Sequence, residues 1–150
     1  MSLKNKKILL IVGGGISAYK CLDLIRLLQR KGSSVKVVLT KSGKKFVTSL
    51  SISSLSKNKV FEEIFDGKNS GKIDHIKLSR WADLILVVPT TANFISKLCR
   101  GSAEDLAHTI ILASNKEVFL VPAMNVRMWE HASTKENLNN LKNFGYQIIG

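Results

Sequence analysis

The chain has little of what marks several protein classes. Cysteine is scarce: only Cys21 and Cys99 occur among 150 residues. Neither stands in a Cys-x-x-Cys or Cys/His spacing suited to a metal, so no disulfide framework and no metal site is expected. Long apolar runs are missing too, since nothing approaches the roughly 18 to 20 residues of a membrane span. The basic start, Met1 to Lys7, leads only into the short run Ile8 to Val12 before three glycines, so no signal peptide is read and a cytoplasmic location is expected. Acidic residues number 11 against 23 Lys and Arg, a formal net charge of +12. That excess raises nucleic acid as a partner through counterion release. The lysines are scattered along the whole chain, however, without aromatic interleaving or a reading helix. A solvated surface that attracts small anions fits better. Hydrolytic signatures are lacking as well: there is no Gly-x-Ser-x-Gly elbow and no paired Asp/Glu arrangement.

What is present is a regular alternation. At 45% hydrophobic the chain fits one globular domain over residues 1–150. Apolar runs alternate with segments of helical period, which predicts an α/β fold with a doubly wound, mostly parallel sheet and helices on both faces. Strands are expected at 7–12, 35–39, 84–88, 118–121 and 146–149, with a weaker strand at 60–65. Helices are expected at 17–31, closed by Gly32, then at 43–50, 51–57, 92–100, 104–114 and 133–144. Residues 66–71 read as a polar loop.

Open parallel sheets bind ligands in the crevice beyond the carboxyl ends of their strands, and polar groups collect there in this sequence. The first strand runs into Gly13-Gly14-Gly15-Ile16-Ser17-Ala18, a Gly-rich turn of the kind that cradles a phosphate, with Ser17 as helix cap or phosphate donor. It fits neither Gly-x-Gly-x-x-Gly nor the Gly-Lys-Ser/Thr loop, so a mononucleotide suits it better than a dinucleotide or ATP. The competing reading is a tight turn that serves packing alone. Thr40 and Ser42 follow the second strand, and Pro89, Thr90, Thr91 and Ala92 follow the third. Each hydroxyl alone reads as an N-cap; together they outline one crevice. Past the strand at 118–121 stands Pro122-Ala123-Met124-Asn125, where a carboxamide can hold a small polar group or simply make a turn before a helix. His75 is the natural general base if the crevice needs one, while His108 and His131 have no comparable setting.

Taken together, Gly14-Gly15-Ile16-Ser17-Ala18-Tyr19-Lys20, Asp74-His75-Ile76, Trp81-Ala82-Asp83, Pro89-Thr90-Thr91-Ala92-Asn93, and Pro122-Ala123-Met124-Asn125 with Met128-Trp129 resemble the homo-oligomeric flavin-containing cysteine decarboxylases. The resemblance spans nearly the whole chain. It implies a Rossmann-like flavoprotein fold with FMN along Gly14, Gly15, Ile16 and Ser17, and with Thr40, Ser42, Pro89, Thr90, Thr91, Ala92 and Ala123 around phosphate, ribityl chain and ring. His75 would be the base; Asn125, with Met124 beside it, would hold the departing carboxylate of the substrate. The implied reaction is FMN-dependent decarboxylation of phosphopantothenoylcysteine on the way to coenzyme A, through a thioaldehyde formed when the flavin oxidises the cysteine side chain. The alternatives are a peptidyl-cysteine decarboxylase, a flavin prenyltransferase, or a non-catalytic regulatory flavoprotein. The resemblance further implies a homotrimer with FMN at the subunit boundary, with a dodecamer as the larger assembly. It places a flap with a Gly- and Cys-containing motif after residues 146–150, and neither Cys21 nor Cys99 matches that motif. The chain therefore reads as a piece of a longer protein or as an enzyme without the reductive half-reaction.

Overall fold

The computed structural model describes residues 3–62 and 70–150, the side chains of 70–74 excepted. Runs rich in leucine and β-branched residues suit strands covered on both faces. Such runs form β1 (Lys7–Val12), β2 (Ser34–Leu39), β4 (Leu84–Thr90) and β5 (Glu117–Pro122), with the short β3 (Phe61–Glu62) and β6 (Gln147–Ile148) at the edges. All neighbours pair in parallel, in the order β3-β2-β1-β4-β5-β6. The order reverses between β1 and β4, so the chain turns outward on both sides of β1 and leaves a crevice above the carboxyl ends.

Strand alternation divides the core in two. On one face Ile8, Leu10 and Val12 pack with Val35, Val37 and Leu39, covered by α1 (Cys21–Arg30) and α2 (Ser49–Ser56). On the other, Leu9, Ile11, Ile85, Val87 and Leu120 lie under α3 (Ser70–Trp81), α4 (Ala92–Cys99), α5 (Leu106–Leu112) and α7 (Ala132–Asn143). Helix α1 ends as expected. Gly32 takes φ +92, and the Gly32 and Ser33 amides donate to the carbonyls of Gln29 and Leu28, the paired bonds that close a helix with a left-handed residue. A short helix, α6 (Val126–Glu130), precedes α7.

Several boundaries differ from expectation. The helix predicted over 17–31 begins as a 3-10 turn, Ile16–Lys20, and becomes α-helical only at Cys21. The two helices predicted across 43–57 are a 3-10 turn at Gly43–Lys45 and one α-helix that starts at Ser49, because Thr48 caps it by accepting the Ser51 amide at 3.1 Å. Strand β3 covers only Phe61 and Glu62 of the predicted 60–65, and residues 63–69 lie outside the described residues. Residues 70 and 71, read as the end of a loop, open α3. No described helix is long and apolar enough to cross a membrane.

Candidate functional site

The Gly-rich turn is squeezed between the two neighbouring strand ends. A Cβ on Gly13 would stand 2.3 Å from the Pro89 carbonyl oxygen, and one on Gly14 would stand 2.6 Å from Cβ of Ser42. Gly15 takes φ +143, open only to glycine, with the Pro89 ring 3.3 Å from where its Cβ would be. The ends of β1, β2 and β4 thus meet at distances that no other residue permits. Gly15 is also the cap of the 3-10 turn, with no side-chain cap bond, which corrects the reading of Ser17 as cap; Ser17 lies half-buried inside the turn. Ile16, at the lip, is 82% exposed. Below the turn, the Val88 carbonyl accepts the Cys21 thiol at 3.2 Å and the Gly13 amide at 3.4 Å, and the Val88–Pro89 peptide bond is cis.

Two hydroxyls expected in the crevice are occupied within the fold. Thr40 Oγ1 donates to the Val12 carbonyl at 2.9 Å and accepts the Gly43 amide at 3.0 Å, binding β2 to β1. Thr90 Oγ1 donates to the Val87 carbonyl at 2.8 Å and accepts the Val121 amide at 3.1 Å, bridging the register shift between β4 and β5. Both are buried, so their hydroxyls position the strand ends and do not line the opening. Ser42 is exposed beside Gly14, and Ala92 is half-buried. Thr91 caps α4 through Oγ1, which accepts the Phe94 amide at 3.1 Å and retains its own hydrogen as a donor.

Asn125 stands at the same end of the sheet. The Ala123 amide donates to the Thr90 carbonyl at 3.0 Å, which fastens the loop after β5 to the end of β4. Asn125 is exposed and caps α6, its Oδ1 accepting the Met128 amide at 3.0 Å. The turn reading of its sequence context is therefore the one the fold displays. The cap takes one lone pair of the oxygen, and neither Nδ2 hydrogen is used in it. Met124, half-buried, packs against the core beneath.

His75 is carried by α3 on the sheet face opposite α1, half-buried. The structure thus brings together Gly13–Gly15, Ser42, Pro89, Thr91 and Asn125 at one end, and holds His75 on the far side of the sheet from α1. His131 caps α7 through Nδ1, which accepts the Ser133 amide. His108 is buried at the start of α5 in an ion pair with Asp105.

Neither cysteine is in a disulfide. Burial pushes the Cys21 thiol up to about 11, which keeps it protonated and a poor nucleophile at neutral pH. Among the described residues no three His, Cys, Asp or Glu side chains approach closely enough to hold a metal. A shallow groove of about 240 Å³ lined by Ile111, Lys116, Phe144 and Tyr146 lies at the opposite, amino-terminal edge of the sheet and borders none of the candidate residues.

The convergence of strand ends can be compared with known proteins. A protein-family model described as Flavoprotein matches residues 1–150. The coenzyme A biosynthesis bifunctional protein CoaBC of Vibrio vulnificus is 42% identical over 149 residues, which are 99% of this chain and 37% of that protein. CoaBC of Bacillus subtilis is 42% identical over 147 residues, 98% of this chain and 36% of that protein. The chain thus spans little more than a third of the length of these curated relatives. Among solved structures, a PPC decarboxylase variant complexed with pantothenoylaminoethenethiol superposes with a TM-score of 0.82 at 30% identity, covering 97% of this chain and 82% of that one.

Proposed function

The chain belongs to the flavoprotein family, and from that premise we propose that it catalyses FMN-dependent decarboxylation of 4'-phospho-N-pantothenoylcysteine to 4'-phosphopantetheine in coenzyme A biosynthesis. The observation that carries the reading is the convergence of the glycine turn after β1 and the Asn125 carboxamide after β5 at the same end of the sheet. A glycine turn between a strand and a helical turn suits a phosphate, and here Gly13 and Gly14 also let Pro89 and Ser42 close in, where a Cβ would collide with them. FMN would be held by Gly14, Gly15, Ile16, Ser17 and Ser42, with Pro89, Thr91, Ala92 and Ala123 around its ring system; Thr40 and Thr90 would act through the backbone they position. Bound flavin supplies the oxidation of the substrate's cysteine side chain that gives the departing carboxylate an electron sink.

Asn125 would grip that carboxylate. Its oxygen is turned to the Met128 amide, and its two Nδ2 hydrogens are available to a carboxylate. A neutral donor orients the carboxylate without a full positive charge, which would hold the ground state more tightly than the charge-dispersed transition state. Met124 supports Asn125 from the core side. His75 would take a proton from the substrate, an imidazole being matched to that task near neutral pH. The Cys21 thiol, buried and donating to Val88, is not a proton donor for a reductive step.

Leu84, Leu86 and Val88 on β4 and Phe119 and Val121 on β5 remain only half-buried although they belong to interior strands, which supports a homo-oligomer with FMN at its boundary. We take that assembly as a trimer, extended to a dodecamer, of an FMN-binding domain over residues 1–150 located in the cytoplasm. Incubating the FMN-loaded protein with phosphopantothenoylcysteine and, separately, with a Cys-terminal peptide tests the substrate. Loss of the mass of carbon dioxide from the first is expected; conversion of the peptide alone would replace the reading with a peptidyl-cysteine decarboxylase, and conversion of neither would refute it. A solution mass of a monomer with bound FMN would refute the assembly.

A further inference from the structure

His108 is 1% exposed, and no step above uses it. Its Nδ1 lies 2.7 and 2.8 Å from the two carboxylate oxygens of Asp105, and its Nε2 lies 3.1 Å from the carbonyl oxygen of Phe94. The ring is thus held between two sets of oxygen acceptors, one at each nitrogen. Burial alone would raise the Asp105 carboxyl, but the His108 side-chain and backbone bonds, the charge of His108 and that of Lys97 together hold it below the usual range. The Asp105 carboxylate also accepts the His108 amide at 2.7 Å, capping α5. The Phe94 ring lies over the imidazole with centroids 4.0 Å apart.

The position of this pair gives it a further consequence. Phe94 is in the first turn of α4, and its amide is the one that Thr91 caps. Thr91 and Ala92 form the wall of the crevice next to Pro89. Helix α5 in turn packs against α3, the helix that carries His75. One buried pair therefore ties the start of α4 to α5, and through α5 to α3.

We infer that His108, held by Asp105, is a positioning residue that fixes the first turn of α4 and so the Thr91–Ala92 wall of the flavin site. The inference rests on the flavin reading above. A charge-assisted bond through a buried ring restrains the turn more than a neutral one would. A site with one wall loosened must order it on binding and loses affinity for the ligand that touches it.

The test compares the wild type with His108→Leu and His108→Gln. Glutamine keeps a donor for Phe94, and leucine keeps only bulk. Val35→Ala, in the core on the opposite sheet face, serves as a reference for a plain loss of stability. FMN dissociation constants are measured together with apo thermal midpoints. His108→Leu should weaken FMN about tenfold, the equivalent of 1.4 kcal/mol, with a changed visible circular dichroism of the bound flavin. His108→Gln should recover most of that affinity, and Val35→Ala should lower the midpoint without moving the dissociation constant. Unchanged FMN affinity in the leucine variant, or equal losses in all three, would overturn the positioning role. Hydrogen exchange of the wild type with and without FMN gives a second reading that needs no variant. FMN should protect the amides of Phe94 and Ile95 together with those of His108 and Thr109, whereas protection confined to α4 would contradict the coupling. A wild type that binds no FMN would instead sink the flavin reading on which this one stands.

Discussion

Substitution of Gly13 by alanine separates tight approach from glycine's flexibility. Its φ is ordinary, so alanine meets no backbone strain there. Were space available, Gly13→Ala would stabilise the protein by about 0.4 to 1 kcal/mol, because the unfolded chain loses freedom. Space is not available: the new methyl would stand 2.3 Å from the Pro89 carbonyl oxygen, a backbone atom that no rotamer change can move. Forcing extra atoms into a packed interior costs about 1 to 3 kcal/mol, so the clash outweighs the entropy gain and the net change is a loss of about 1 to 2 kcal/mol. For a chain of this size that lowers the melting midpoint by roughly 2 to 8 °C. Because the clash pushes β1 and β4 apart at the cradle, FMN affinity should fall more steeply than stability. Gly101→Ala is the control: it has φ +71 with nothing within 4 Å, so it should show backbone strain of about 1 kcal/mol and unaltered flavin binding. The assay is thermal and denaturant unfolding of the apo protein with an FMN titration of each variant. A Gly13→Ala protein as stable as wild type and equal in FMN affinity would refute the argument.

Other consequences can be checked alongside. His75→Asn should retain flavin colour while the decarboxylation rate falls by about 10² to 10⁴, and undiminished turnover would remove His75 as base. Asn125→Asp keeps an N-cap acceptor, so the melting midpoint should hardly move, while a carboxylate facing the substrate carboxylate should cut kcat/KM at least about tenfold. Thiol alkylation followed by mass spectrometry near pH 8 should label the half-buried Cys99 well before Cys21, whose thiol is buried and protonated up to about 11; equal labelling would show that Cys21 is accessible. The Asp105 carboxyl is held below its usual range, so its contribution is present above about pH 4 and is lost as pH falls through its lower folded value. Asp105→Asn should therefore cost about 1.5 kcal/mol near pH 7 and progressively less in acid, and a cost independent of pH would contradict the ion pair.

Much of the fold was legible because it rests on period and composition. The four interior strands fall within two residues of their expected ends, since runs such as Ile8 to Val12 and Val35 to Leu39 have no other stable place than a covered parallel sheet. Helix α3 was not legible. Its segment, SGKIDHIKLSRW, shows no clear apolar stripe, and the α5 helix it packs against is distant in sequence. The crevice was half legible. Glycines and hydroxyls at strand ends can be counted in a sequence, but only coordinates tell that Thr40 and Thr90 spend their hydroxyls on neighbouring strands while Thr91 keeps a hydrogen to offer. The same holds for Asn125, whose sequence context allowed a turn or a ligand contact and whose Oδ1 is seen to cap α6. His108 offered no sequence signal, because its meaning lies in two acceptors, Asp105 and Phe94, brought to opposite sides of its ring.

The strand-end crevice as a flavin mononucleotide site is the claim on which the other steps depend. Its most direct test is the relative affinity of the apo protein for FMN and riboflavin, followed by flavin fluorescence. The proposal that the Gly14 and Gly15 amides take the phosphate predicts that this group contributes strongly, so FMN should bind at least about a hundredfold more tightly than riboflavin. Equal affinity for the two, or no binding of either, would contradict it.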